Sequence, residues 1–169
     1  MGENLMTLEQ RIESGRKKMF SKAAKWAISS ARAVLWLTVL IMLVGCVNRQ
    51  SATIIPGTNL RGAKNFYVVT FSPDKRGINR LIADQLIFMG HRATTGPEDT
   101  APKNADVIVT YRDKWRWDIT MYMIELTVTF RDSENKFALG VGNSFHGSLT
   151  RKSPREMIKE VLTNIFNKS

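Results

Sequence analysis

The stretch ITMYMIELTVTF, residues 119–130, constrains the fold more than any other part of the chain. Tyr122, Ile124, Leu126, Val128 and Phe130 share one side of an extended backbone, while Glu125, Thr127 and Thr129 share the other. Successive side chains of a strand point to opposite faces, so this period of two selects strand over helix. A strand with one apolar face needs a sheet, and the sheet needs a cover. The turn Asp132-Ser133-Glu134-Asn135 follows, and FALGVGNSFHG returns as an antiparallel partner. Gly140 and Gly142 within it mark a bulge or a close approach.

The remaining elements read outward from that hairpin. ADVIVTY (105–111) and NFYVVTF (65–71) are rich in β-branched and aromatic residues and predict two more strands. Between them Ile78, Leu81, Ile82, Leu86 and Met89 recur near a 3.6-residue period, and Gly90 supplies a helix stop. HRATTGPEDTAPKN (91–104) reads as a polar loop. At the end, Ser153-Pro154-Arg155-Glu156 makes a capping box with proline at the first helical position. Met157, Ile158, Val161, Leu162, Ile165 and Phe166 form the stripe that follows. The expected domain, residues 64–169, is an α+β two-layer sandwich. A four-stranded, mainly antiparallel sheet carries both helices on one face, in the order β-α-β-β-β-α.

Ahead of this domain the composition changes. Residues 33–44 form an apolar run broken only by Thr38 but number only twelve, short of the roughly 20 needed to cross a bilayer as a helix. Lys22, Lys25 and Arg32 precede the run, the arrangement of a secretory leader. The run ends on Cys46, the chain's one cysteine, which excludes an intrachain disulfide. Leu43-Val44-Gly45-Cys46 resembles the lipobox of bacterial lipoproteins, a likeness covering residues 19–46. The resemblance implies that residues 1–45 are a signal peptide recognised through Leu43, Val44 and Gly45. It further implies that the Cys46 thiol receives a diacylglycerol and its freed amine an acyl chain such as palmitate. No other cofactor is expected. Val47 stands where related inner-membrane lipoproteins carry Asp, so the resemblance implies an outer-membrane protein facing the periplasm; the alternative is the periplasmic side of the inner membrane. Met19 begins a leader of conventional length, so translation is expected to start there, and no peptide from residues 3–18 is expected in the precursor. Residues 46–63 (CVNRQSATIIPGTNLRGA) read as a lipidated tether.

The net charge of +10 is divided between leader and domain: seven Lys or Arg against three Glu precede Cys46. The mature part keeps enough positive charge to attract polyanions. For an extracytoplasmic protein these are anionic lipid or lipopolysaccharide, and nucleic acid is not an expected partner. The domain order is similar to the compact α/β domains of bacterial envelope proteins, among them the lipopolysaccharide-assembly lipoprotein and the small domain of the Tol-system translocation protein. ADVIVTYRDKWRWDITMYM also resembles small lipoproteins with a comparable central hairpin. These likenesses imply a fold and a location, and little activity.

Candidate chemistry is sparse. RDKWRWD gives the candidate binding residues Arg112, Asp113, Trp115, Arg116, Trp117 and Asp118, with Asp113, Trp115 and Trp117 on one side of the strand. They make either an aromatic platform for a glycan, lipid headgroup or protein loop, or a cover for the open end of the core. No metal site is expected, because the two histidines, His91 and His146, belong to no ligand motif. His91, just after a helix stop, is expected in solvent. Ser144 and His146, two apart on a strand, give a small hydrolase as the catalytic alternative, without the Gly-x-Ser-x-Gly elbow. The leading expectation is a non-catalytic, membrane-anchored lipoprotein that binds or scaffolds another envelope component. The alternative is a binder of lipid, lipopolysaccharide or glycan through Trp115, Trp117 and their basic neighbours.

Overall fold

The alternating stretch is a strand, β5 (Thr120–Asp132), and it lies in the middle of a six-stranded sheet. The computed structural model describes residues 48–169 together with Glu13 and Trp36. The proposed leader (apart from those two residues), the Met19 start, Leu43, Val44, Gly45 and Cys46 lie outside the described residues. The other strands are β1 (Arg49–Ile54), β2 (Asn65–Val69), β3 (Arg92–Gly96), β4 (Val107–Asp118) and β6 (Ala138–Phe145). Helix α1 (Ile78–Phe88) links β2 to β3, and α2 (Pro154–Lys168) follows β6. Across the sheet the order is β1-β6-β5-β4-β2-β3. β2 runs parallel to both β3 and β4, and the other pairs are antiparallel.

The four-stranded, β-α-β-β-β-α expectation is therefore corrected to a mixed sheet of six in the order β-β-α-β-β-β-β-α. Both additional strands are edges. β1 arises from the stretch read as tether, with six residues paired to β6 and Ala52 and Ile54 turned to the core. β3 arises from the stretch read as a polar loop and pairs with β2 over five residues. An edge strand is held by backbone hydrogen bonds on one side, so Arg-Ala-Thr-Thr-Gly can join a sheet without an apolar period.

Both helices pack on one face, as the need to cover two apolar stripes requires. The core there joins Phe66 and Val68 of β2, Val109 of β4 and Leu126, Val128 and Phe130 of β5 to the stripes of α1 and α2. Phe66, Phe130 and Phe166 form an aromatic cluster, with ring centroids 5.7–6.1 Å apart. His91 is not in free solvent. Its ring stacks on Phe166, meets the Phe66 edge, and its Nδ1 lies 3.1 Å from the Ala63 carbonyl.

The period of two in β5 is broken once. Lys114 pairs with Glu125 but Trp115 pairs with Met123, so Ile124 is a bulge residue. Met123 therefore takes the buried place expected for Ile124, and Tyr122 turns to the opposite side beneath the Arg151 guanidinium, 4.3 Å from its ring centroid. Gly142 marks close packing: a Cβ there would stand 2.8 Å from Ile165 and Val161 of α2.

The capping box forms as the sequence predicts. Glu156 N–H donates to Ser153 Oγ, and the Glu156 carboxylate accepts from Ser153 N at 2.8 Å. Ser153→Ala is expected to cost about 1 kcal/mol, read as a lower denaturant midpoint with an unchanged slope.

Candidate functional site

Strand alternation divides the RDKWRWD cluster between surfaces. Arg112 lies on the sheet face that carries no helix. Asp113 and Trp115 lie on the helix side, where Trp115 closes one end of the core. Trp115 Nε1 donates to the Asp113 carboxylate, and the Arg76 guanidinium sits 4.1 Å above the indole. Trp115 is thus held as a packing residue. Lys114 is paired with Glu125 at 2.7 Å. Asp118 accepts from Arg151 at 2.8 Å, while Arg116 and Trp117 stand exposed near the hairpin tip. The six candidates do not form one platform.

The open face holds a different grouping. Val69, Phe71, Thr110, Arg112, Thr127, Thr129 and Arg131 line a shallow concavity of about 450 Å³, closed at one side by Glu98. The threonines come from the polar half of the alternation that buries Val109, Tyr111, Val128 and Phe130. Arg112 lies over the Phe71 ring at 5.2 Å, and Arg131 donates to the Lys136 carbonyl at 3.2 Å. Part of this face is covered: Tyr67 and Ile108 pack under the 97–105 segment, with Tyr67 Oη donating to the Pro97 carbonyl at 2.8 Å. The uncovered part presents hydroxyls, two guanidinium groups and one aromatic ring. Such a surface suits a ligand that is rich in hydroxyls and carries negative charge.

The floor of the concavity is fixed from beneath. Tyr111 Oη donates to Asp74 at 2.7 Å, and Asp74 also accepts from the backbone N–H groups of Arg76 and Ile78 at 2.6 Å. Burial pulls the Asp74 carboxyl up, but these hydrogen bonds outweigh it and hold the group below its ordinary value. Burial, followed by the bond to Asp74, pushes the Tyr111 phenol well up. It stays a neutral donor.

Ser144 and His146 do point the same way, as their spacing predicts, but away from solvent. They are 0% and 1% exposed, and both end on Glu160 of α2. Ser144 Oγ donates to Glu160 Oε2 at 2.8 Å, and His146 Nε2 meets the same oxygen at 2.8 Å. A catalytic serine needs its base on the hydroxyl and access to substrate. Here both groups face a carboxylate inside the domain, so the hydrolase reading fails on geometry. With the proton on Nε2, Nδ1 is left as a buried lone pair without a partner among the described residues. No group of three or more His, Cys, Asp or Glu among the described residues could hold a metal ion. Asp106 is occupied by the backbone, accepting from the N–H groups of Lys64 and Asn65 at 2.8 and 2.9 Å.

Among solved structures the domain is similar to the PelC dodecamer from Paraburkholderia phytofirmans, with a TM-score of 0.52, 18% identity, and coverage of 70% of this chain and 98% of that one. A single-residue variant of the same PelC dodecamer, in a second crystal form, gives the same score and identity, with 97% of that chain covered. The likeness is one of fold. No family model and no curated protein matches the chain.

Sequence reasoning located Arg112 but missed Phe71, Thr110, Thr127, Thr129 and Arg131, which join it only across strands. The available signal was the threonine alternation itself, three hydroxyls on the face that the core does not use. Glu160 was missed because it sits on the edge of a helix stripe and finds its partners through the sheet.

Proposed function

We propose that the protein is a lipid-anchored, non-catalytic binding protein of the bacterial envelope whose open sheet face takes an anionic glycan, such as the saccharide of lipopolysaccharide. The observation that carries this reading is the concavity in which Arg112 and Arg131 flank Thr110, Thr127 and Thr129. Arginine forks match phosphate and carboxylate, and threonine hydroxyls exchange hydrogen bonds with sugar hydroxyls. The anchor is Cys46, acylated after removal of residues 1–45, and Val47 favours the outer membrane, with the domain in the periplasm.

A scaffolding role accompanies binding. The solved PelC structures of similar fold are dodecamers. Self-assembly of this chain would set many shallow sites side by side, and multivalency compensates for weak single contacts. Partners are therefore other copies, the membrane through the anchor, and the glycan.

Arg112→Ala with Arg131→Ala is expected to weaken lipopolysaccharide binding at least about ten-fold, the loss of two charge-assisted contacts. The thermal midpoint should barely move, because neither side chain belongs to the core. Unchanged binding in the double variant overturns the site. Trp117→Ala is expected to leave glycan binding intact; loss there would return the ligand to the hairpin tip.

A further inference from the structure

One end of the domain carries apolar surface that the fold does not use. Trp117 is 69% exposed, Ile119 86% and Met121 47%, all at the tip of the β4–β5 hairpin, and Leu149 in the neighbouring 148–150 turn is 84% exposed. The β5–β6 ladder starts at Glu125, with one further bond from the His146 N–H to the Ile124 carbonyl, so the hairpin end from Ile119 to Met121 is paired with β4 alone or not at all and projects beyond β6. Ile119 is the most telling of them. It turns the hairpin with φ 61°, a left-handed conformation that disfavours β-branched residues and that Gly or Asn adopts readily. An isoleucine placed there burdens the backbone and contributes nothing to the core.

The same end is where the chain comes in from Cys46. Arg49 is opposite Phe145, and Phe145 is opposite Glu125, so β1 begins in the row from which the hairpin projects. β1 and β5 are both antiparallel to β6 and run the same way, so their beginnings face one direction. Contacts link the two: Thr150 Oγ1 donates to Asn48, and Arg151 next to it donates to Asp118 and to Thr120 Oγ1 at 2.8 and 2.9 Å. Cys46 is two residues before Asn48, a reach of roughly 7 Å. Arg116 stands beside Trp117 with no ion-pair partner among the described residues, free to meet an anionic headgroup.

We propose that the hairpin tip is a membrane-docking surface, seating Trp117, Ile119 and Met121 in the interfacial layer of the phospholipid bilayer that holds the Cys46 acyl chains. The proposal rests on the lipidation reading. Its chemistry is that of interfacial anchors: an indole at headgroup depth, two aliphatic side chains below it, and a basic residue reaching back to phosphate. Docking would give the domain a fixed side toward the membrane, and would hold the glycan-binding face at a set angle to it.

The test uses the lipidated full chain reconstituted in phosphatidylethanolamine–phosphatidylglycerol vesicles. An environment-sensitive fluorophore is placed at Ile119→Cys and, separately, at Glu134→Cys in the β5–β6 turn at the far end of β5. The Ile119 label should shift to the blue and lose at least roughly three-fold of its quenching by aqueous iodide, while the Glu134 label stays accessible. Ile119→Gly relieves the left-handed turn, so its thermal midpoint should equal or exceed that of the wild type while tryptophan quenching by brominated lipid falls. A merely structural role for Ile119 would move neither in that combination. Intact mass separates the failures. Acylated protein whose two labels are equally open to iodide overturns the docking proposal alone; unacylated Cys46 removes the lipidation reading and the proposal with it.

Discussion

Cys46→Ser is expected to abolish lipid attachment completely and to leave the leader in place. The native protein should be recovered beginning at residue 46 and heavier by a diacylglycerol and an amide-linked acyl chain. The serine variant should show the mass of its unprocessed precursor. The physical basis is the LVGC tetrad at the foot of the apolar run, where the thiol is the proposed acceptor and serine offers only a far weaker nucleophile. Buried acyl methylenes contribute about 0.8 kcal/mol each, so chains of ordinary length hold a protein in a bilayer far better than the domain surface alone. Detergent-phase partition of native protein, lost in a leaderless form, checks the energetic side. Native material that lacks lipid, or that keeps residues ahead of the thiol, would falsify the anchor.

Glu160→Ala is expected to be the most destabilising single change on the polar residues of the domain, at about 3 kcal/mol. The Glu160 carboxylate accepts from Ser144, His146, Lys152 and Gln50, tying α2 to β6, β1 and the segment before the helix. Alanine leaves the Ser144 hydroxyl and the His146 ring buried with no acceptor. Glutamine keeps one acceptor oxygen and should recover part of the loss. The pH dependence gives a sharper readout. Burial pulls the Glu160 carboxyl up, but the bonds from Lys152, His146 and Ser144 prevail and hold it below its ordinary 4.5. A depressed carboxyl contributes stability that is fully present above the unfolded-state value and is lost as pH falls through the lower folded-state value. The gap in unfolding free energy between wild type and Glu160→Gln should therefore narrow as pH drops below about 4.5. A gap independent of pH would show that the carboxylate's charge is not what matters.

The helices were legible in the sequence because their signals are local. The Ser153–Glu156 box, Pro154 and the stripe from Met157 to Phe166 all lie within one segment, and α2 starts where they put it. α1 stops at the glycine that the pattern marks, with Gly90 at φ 94°. The strands that escaped detection, β1 and β3, owe their place to hydrogen bonding with a neighbour distant in sequence, and no local period records such pairing. The bulge at Ile124 escaped for a related reason. Alternation read from one strand cannot show that its partner keeps a different count. The candidate site followed the same rule. RDKWRWD looks like one cluster on paper, yet the pleat sends Arg112 to one face and Asp113 to the other, while Arg112 meets Phe71, Thr127 and Arg131 only through strand pairing.

The position of β1 has a mechanical consequence. It is the first described strand after Cys46, the proposed anchor, and lies along the sheet edge with six residues matched to β6. Further ties run from Lys168 to the Ala52 carbonyl at 2.7 Å and from Asn164 to Gln50 at 3.1 Å. With Cys46 acylated as proposed, a pull on the lipid would travel down the length of β1, and the cross-links perpendicular to it would have to yield in shear, together. A strand peeled from its end would surrender them one at a time. The proposed anchor would thus join the domain to its membrane by a seam that resists pulling along its own length.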